Sequence, residues 1–228
     1  MLFKKRMSKD ELLLYYNDFK KKYKNVLNEE ELIYIHENCE LGNHDLFANY
    51  ILNQFYVEFD LIEEEKNIYL NVLKKLKEVF SINGKRILEI GGGPIPQFAK
   101  LISNDVESIT VMDPCITYNN GKDNIHTERR YFTPFTDITN YDIIVALMAC
   151  KTSESIIYNC MNNKKDFFIV FCPCLNEDLN KIISFANNMI AINNMGVLKE
   201  EELKEQPDFN NPILYNKRGK MMTYKRDV

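Results

Sequence analysis

The chain reads as an α/β protein built on a doubly wound, mostly parallel sheet. Three observations predict this. The hydrophobic pattern changes abruptly at the Asn83-Gly84 turn signal, from helical spacing to short β-type runs. The runs 143–149 and 167–171 are apolar at nearly every position, as in strands covered by helices on both faces. A glycine-rich turn, Gly91-Gly92-Gly93, follows the first of these runs directly.

Residues 1–82 read as a helical segment that caps the sheet. Ser8-Lys9-Asp10-Glu11 has the form of a capping box, in which Ser8 accepts from an amide of the first turn and Glu11 reaches back. Behind it Leu12, Tyr15, Tyr16, Phe19 and Tyr23 recur at helical spacing. Asn28-Glu29-Glu30-Glu31 is a second start signal, with acids where the helix dipole favours them. A third helix is expected over 45–56, and a fourth carries Tyr69, Val72, Leu73, Leu76, Val79 and Phe80 along one stripe. Tyr15, Tyr16, Tyr34 and Tyr50 are candidates to line the cap or to join a core.

From residue 83 onward, strands are expected at 86–90, 108–112, 125–132, 141–149 and 167–172, with helices at 97–103, 153–162 and 177–193. A closing hairpin falls at 213–216 and 221–225, around Arg218-Gly219. Alternating strands and helices followed by a hairpin give an open, Rossmann-like sheet over 83–228, with ligands expected outside its carboxyl edge.

Composition narrows the function. The formal net charge of −4 lacks the basic excess that nonspecific nucleic-acid binding needs, so no nucleic acid is expected. The basic run Lys20-Lys21-Lys22-Tyr23-Lys24 reads as a solvated helix face. No apolar run approaches the roughly 20 residues of a membrane span, and no apolar h-region follows Met1-Leu2-Phe3-Lys4. Six scattered cysteines do not suggest a disulfide framework, and a cytoplasmic, reduced setting is expected.

The chemistry centres on Gly91-Gly92-Gly93-Pro94-Ile95-Pro96. Its glycines permit positive φ and close approach of a ligand to the backbone, and Pro96 suits a helix's first turn. Asp113 ends the second strand, 113 − 91 = 22 residues after the first loop glycine, the spacing at which an acid on the neighbouring strand reaches a ribose diol.

Glu89-Ile90-Gly91-Gly92-Gly93 resembles the first motif of class I S-adenosylmethionine-dependent methyltransferases, an acid-x-Gly-x-Gly signature. Asp113 matches the family's acid after the second strand. Asp137, with Tyr141-Asp142-Ile143-Ile144-Val145 behind it, is similar to the third and fourth motifs. The resemblance implies S-adenosyl-L-methionine as cofactor, and transfer to a small molecule held between the helical cap and the sheet is expected. It implies that Glu89 orients the methionine part, Gly91 and Gly93 give way to it, Asp113 holds the ribose and Asp137 meets the adenine. The full set of expected cofactor contacts is Glu89, Gly91, Gly92, Gly93, Pro94, Asp113, Pro114, Asp137 and Met148. A dinucleotide is the rival ligand, but its loop wants a third glycine where Pro96 stands, and Glu89 would repel a diphosphate. The Gly-x-Gly-Pro-x-Pro form is also similar to the loop of nicotianamine synthase-like enzymes, which transfer an aminocarboxypropyl group. A non-catalytic, cofactor-binding regulator is a further alternative.

No general base can be named from the sequence. Cys115, Cys150, Cys172 and Cys174 follow strand ends and read as small apolar fillers, with a thiolate metal site as the other possibility. His36, His44 and His126 are isolated, although His44 lies where a cap residue would meet a substrate. Lys151, Thr152 and Glu154 follow the fourth strand, with Thr152 and Ser153 also candidates to cap the next helix.

Overall fold

The computed structural model describes residues 8–22, 29–30, 32–33, 55, 63–116, 122–149, 152–171, 181–182, 184–186, 188, 199–200, 213–217 and 220–224. Its helices are α1 (Lys9–Lys22), α2 (Glu63–Val79), α3 (Gln97–Ile102) and α4 (Ser153–Asn162). Its strands are β1 (Arg86–Ile90), β2 (Ser108–Met112), β3 (Ile125–Glu128), β4 (Ile143–Leu147), β5 (Asp166–Val170), β6 (Lys199–Glu200), β7 (Ile213–Lys217) and β8 (Lys220–Tyr224).

The capping box forms as its sequence predicts. The Ser8 amide donates to the Glu11 carboxylate at 2.9 Å, and the Glu11 amide donates to the Ser8 hydroxyl at 3.3 Å. The stripe on α2 turns inward, with Val72, Leu76 and Val79 buried and Phe80 buried just past its end. The expected helix over 45–56 lies outside the described residues except for Phe55, which is helical and buried.

The sheet order is β3-β2-β1-β4-β5-β7-β8-β6. Strands β1 to β5 are parallel to one another, β7 runs antiparallel to β5, and β7 and β8 form the closing hairpin. The chain lays β2 and β3 to one side of β1 and β4 and β5 to the other. The switch point therefore falls between β1 and β4, where open α/β sheets place their ligands.

Alternation along each strand sorts side chains into two cores. On one face Ile87, Ile109, Val111, Ile143, Val145, Phe168 and Val170 meet Phe98, Ala99 and Ile102 of α3, together with Leu12, Tyr16, Leu32, Phe55, Val72 and Leu76. On the other, Leu88, Ile90, Met112, Ile144, Ala146, Phe167 and Ile169 meet Ile156, Ile157, Cys160 and Met161 of α4. The described N-terminal side chains thus share a core with one sheet face. Tyr16 is buried in it and Tyr15 packs against it, so both serve packing.

Three strands end sooner than the sequence pattern suggests, β5 among them at Val170. β3 ends at Glu128, beyond which Arg129, Arg130 and Tyr131 leave the sheet. β4 ends at Leu147 because Met148 takes a left-handed conformation with φ 57°. For a side chain other than glycine that conformation costs energy, and it turns the chain sharply at the carboxyl edge.

Candidate functional site

The residues after β1 and β2 are knitted together at the carboxyl edge. Glu89 pairs in register with Val111 on one side and Val145 on the other, and Ile90 pairs with Met112 and Ala146. The Gly91 amide donates to the Met112 carbonyl at 3.0 Å, carrying the ladder one residue into the loop. Gly91 and Gly93 have φ of 80° and 76°, a region that strains any side-chain-bearing residue. A Cβ on Gly91 would lie 3.0 Å from the Ala149 Cβ, so the loop runs close against the chain leaving β4. Gly92 is glycine for another reason: a Cβ there would collide with the Val111 Cγ1 and crowd the Glu89 carboxylate, whose Oε1 it would meet at 3.2 Å.

Asp113 ties the two strand ends. Its Oδ2 accepts from the Gly93 amide at 3.0 Å and its Oδ1 from the Cys115 amide at 2.7 Å. Each carboxylate oxygen can accept more than one hydrogen bond, so these contacts fix the carboxylate and leave it able to receive hydroxyl donors. Pro114 begins the turn that follows, and its carbonyl accepts from the Arg129 side chain at 3.2 Å. Cys115 is partly buried; burial and the nearby Asp113 raise its thiol above the ordinary value, against Arg129. That makes it a poor nucleophile.

Glu89 is the unusual member. Its side chain is 1% exposed. Its Oε2 is buried without a hydrogen-bond partner. Burial first, and the charge of Asp113 second, push its carboxyl up to about 8, against one lowering contact from the Ala99 amide in α3's first turn. Two acids therefore share a confined volume, and no cation contributes to the balance at Glu89 among the described residues. Such an arrangement repels a diphosphate and is complementary to a ligand that carries a positive charge. Pro94 and Ile95 then lead to α3, with Ile95 buried and Pro96 at the helix's amino end.

Most of the expected contacts described here come together: Glu89, Gly91, Gly92, Gly93, Pro94, Asp113 and Pro114 belong to one edge, and Met148 turns there at the end of β4. Asp137 does not join them. Its neighbour Thr139 and Tyr141 both give their carbonyls to the Lys165 ammonium, which precedes β5, and Asp142 bonds to the Arg86 amide at the start of β1. Asp137 therefore lies at the amino edge of the sheet. Its carboxylate is occupied by the Thr139 amide and hydroxyl, which hold its pKa below the ordinary carboxylate value. The Asp137 carboxylate is thus partnered within its own turn, away from the loop.

Among the other candidates, Ser153 donates its hydroxyl to the Ala149 carbonyl at 3.3 Å, while Thr152 at the amino end of α4 makes no side-chain cap bond. His126 lies exposed on β3, and Glu154 is exposed on α4. His36, His44, Lys151, Cys150, Cys172 and Cys174 lie outside the described residues. Among the described residues no three His, Cys, Asp or Glu side chains gather where they could hold a metal, and no described helix is long and apolar enough to cross a membrane. Sequence reasoning missed the close approach of Ala149 to Gly91 and the Ala99 amide at Glu89. The signal for the second was present, since α3 starts a few residues after Glu89 and its first-turn amides need acceptors.

The strand order and the loop at its switch point settle the architecture. The fold is Rossmann-like. No protein-family model and no curated protein matches the chain. Solved structures similar to it include the YcgJ protein from Bacillus subtilis (18% identity, 54% of this chain and 66% of that one, TM-score 0.40). Others are the N-methyltransferase NodS from Bradyrhizobium japonicum (14%, 55% and 82%, TM-score 0.41) and an S-adenosylmethionine-dependent methyltransferase from Mesorhizobium loti (12%, 43% and 52%, TM-score 0.35). This chain spans less than two thirds of the first and third of these. Likeness at such scores carries no argument about chemistry, which has to come from the site itself.

Proposed function

We propose that this chain is an S-adenosylmethionine-dependent methyltransferase acting on a small molecule. The observation that carries the reading is the acid pair under the glycine loop, above all the buried, unpartnered Glu89 Oε2. A buried carboxyl oxygen without a partner is costly, and a ligand ammonium supplies the partner. Glu89 would hold the amino group of the cofactor's methionine part. Asp113, already fixed by the Gly93 and Cys115 amides, would accept from the ribose hydroxyls. Gly91 and Gly93 leave room for the ligand to lie against the backbone.

When bound, S-adenosylmethionine supplies an electrophilic methyl group on a sulfonium. The chain's own part is placement and exclusion of water. In-line approach of an acceptor held by the protein removes much of the entropic barrier. The turn at Met148 and Ala149 edges the loop, so the residues after β4 are where an acceptor would be received. A small acceptor fits a chain without a basic excess, and a soluble cytoplasmic setting fits its composition.

Calorimetry with S-adenosylmethionine and its demethylated product tests the reading. Binding of both by the wild type is expected. Asp113→Ala removes two charge-assisted acceptors, each worth about 1.5–3 kcal/mol, so affinity should fall by at least about 100-fold. Failure of the wild type to bind either ligand would sink the proposal. Methylthioadenosine, rather than the demethylated cofactor, as the product formed with acceptors would assign aminocarboxypropyl transfer instead.

A further inference from the structure

Glu89 is more than a contact for a cation. Among the described residues, the groups that face it either repel charge on it or offer little to stabilise it. From the turn after β2 comes Asp113, a second acid; from β2 and β4 come the apolar Val111 and Val145, the in-register neighbours of Glu89 on either side. The loop contributes the Gly92 backbone, packed so tightly that a Cβ would meet the carboxylate oxygen at 3.2 Å. From α3 comes one neutral donor, the Ala99 amide. One amide cannot satisfy a buried carboxylate with an acid beside it, and its second oxygen has no partner. A protonated carboxyl suits that surrounding, and a carboxylate suits it only when a cation arrives.

We infer that ligand uptake at this site expels a proton: Glu89 is a carboxylic acid in the free protein and becomes a carboxylate when the ligand's ammonium docks against it. The inference rests on the cofactor reading given above. The balance is simple. The Glu89 O–H bond breaks, its proton passes to buffer, and the carboxylate left behind pairs with the ammonium, so the pocket gains no net charge from the amino group. Binding energy is thereby tied to pH through the chain itself. The carboxyl value of about 8 agrees with the geometry, since it keeps the free site protonated at neutral pH. Below pH 7 the ligand's own amino group stays charged, because α-amino groups titrate near 7.7–8.0. Any proton released there comes from the protein.

The test is titration calorimetry of the whole chain at pH 6.5 in buffers of different ionisation enthalpy, with three probes. S-adenosylmethionine and its demethylated product both carry the ammonium, and each should release close to one proton. Methylthioadenosine keeps the ribose and adenine but has no ammonium, and it should bind with none released. Affinity for the first two should rise about tenfold from pH 6 to pH 7, as linkage to one proton requires. Glu89→Gln, checked for folding by thermal melting, should bind with no release and a flat pH response. Binding by the wild type with no proton released overturns this inference and leaves the cofactor reading standing. Release that accompanies methylthioadenosine too, or that survives in Glu89→Gln, overturns the assignment to Glu89 and the ammonium. Absence of any binding overturns both.

Discussion

Four acids stand at the two edges of one sheet, and they are treated in opposite ways. At the amino edge Asp142 accepts from the Arg86 amide at 2.9 Å and faces the Arg86 guanidinium. Partial burial works against its charge, yet those Arg86 contacts prevail and hold its pKa below the ordinary value. Asp137 is held low in the same direction by Thr139. At the carboxyl edge Glu89 is buried beside Asp113 with an oxygen unpaired, and its pKa is pushed up to about 8. The amino-edge acids are finished interactions that close the fold. At the carboxyl edge Asp113 is fixed by two amides, while one oxygen of Glu89 has no partner among the described residues. Edges that look equally acidic in sequence thus differ in whether their acids find partners among the described residues.

Glycines at the two edges offer the sharpest way to break that contrast. Gly84 precedes β1 at the amino edge, with φ 65° and nothing near the position of a Cβ. Gly92 at the carboxyl edge has Val111 and Glu89 in the way. Gly92→Ala should cost about 1–3 kcal/mol as overpacking against a strand that cannot give way, and should abolish measurable ligand binding. Gly84→Ala should cost about 1 kcal/mol of backbone strain and leave affinity alone. Denaturant titration and calorimetry on both variants measure this. Equal effects on affinity would mean that the loop is a fold element only.

The edges should also titrate in opposite senses. Glu89 has a folded pKa raised from 4.5 to about 8, so the stability tied to its neutral form is fully present below pH 4.5 and is lost as pH rises toward 8. Between pH 5 and pH 8 the ligand-free protein should lose on the order of 3 kcal/mol from this group. Asp142 and Asp137 have lowered values, so their contribution is present above about pH 4 and lost as pH falls. Stability should therefore peak at mildly acidic pH, and Glu89→Gln should flatten the alkaline side alone. Denaturant melts of both proteins across pH 4 to 9 would show it. An alkaline side that stays the same in Glu89→Gln would place the charge strain elsewhere.

Much of this was legible in the sequence. The five parallel strands, the helices at 97–102 and 153–162 and the hairpin fall where apolar runs and turn signals put them, because strands covered on both faces leave an unbroken apolar mark. The placement of the glycine loop beside Asp113 was legible because both follow adjacent strand ends. The ends of β3 and β4 were less so. Tyr131 and Phe132 follow the two arginines after Glu128, apolar residues continue past Leu147, and the three-dimensional turn at Met148 stops the second. The isolation of Glu89 was not legible at all. An acid next to a loop can be seen in sequence, but its desolvation depends on Val111, Val145 and Ala99 closing around it.

Asp137 is the expected contact that lies apart from the loop, and it supplies the smallest expected effect. Distance along the chain places an acid after β3 and before β4, but it does not say at which edge the chain is when it passes that residue. Here the connection descends early. Asn159 of α4 donates to the Thr136 carbonyl at 2.8 Å, and the Thr133 amide donates to the Thr136 hydroxyl at 2.9 Å, so the turn is pinned up to the residue before Asp137. Lys165 then gathers the carbonyls of Thr139 and Tyr141 at the foot of β5. The Asp137 carboxylate caps its own turn, an arrangement that needs no ligand to complete it. Asp137→Ala should therefore leave affinity for S-adenosylmethionine at the wild-type value, in contrast to the loss expected for Asp113→Ala. Calorimetry on the two variants side by side decides the matter. A comparable loss in both would bring Asp137 to the ligand and erase the distinction between the two edges.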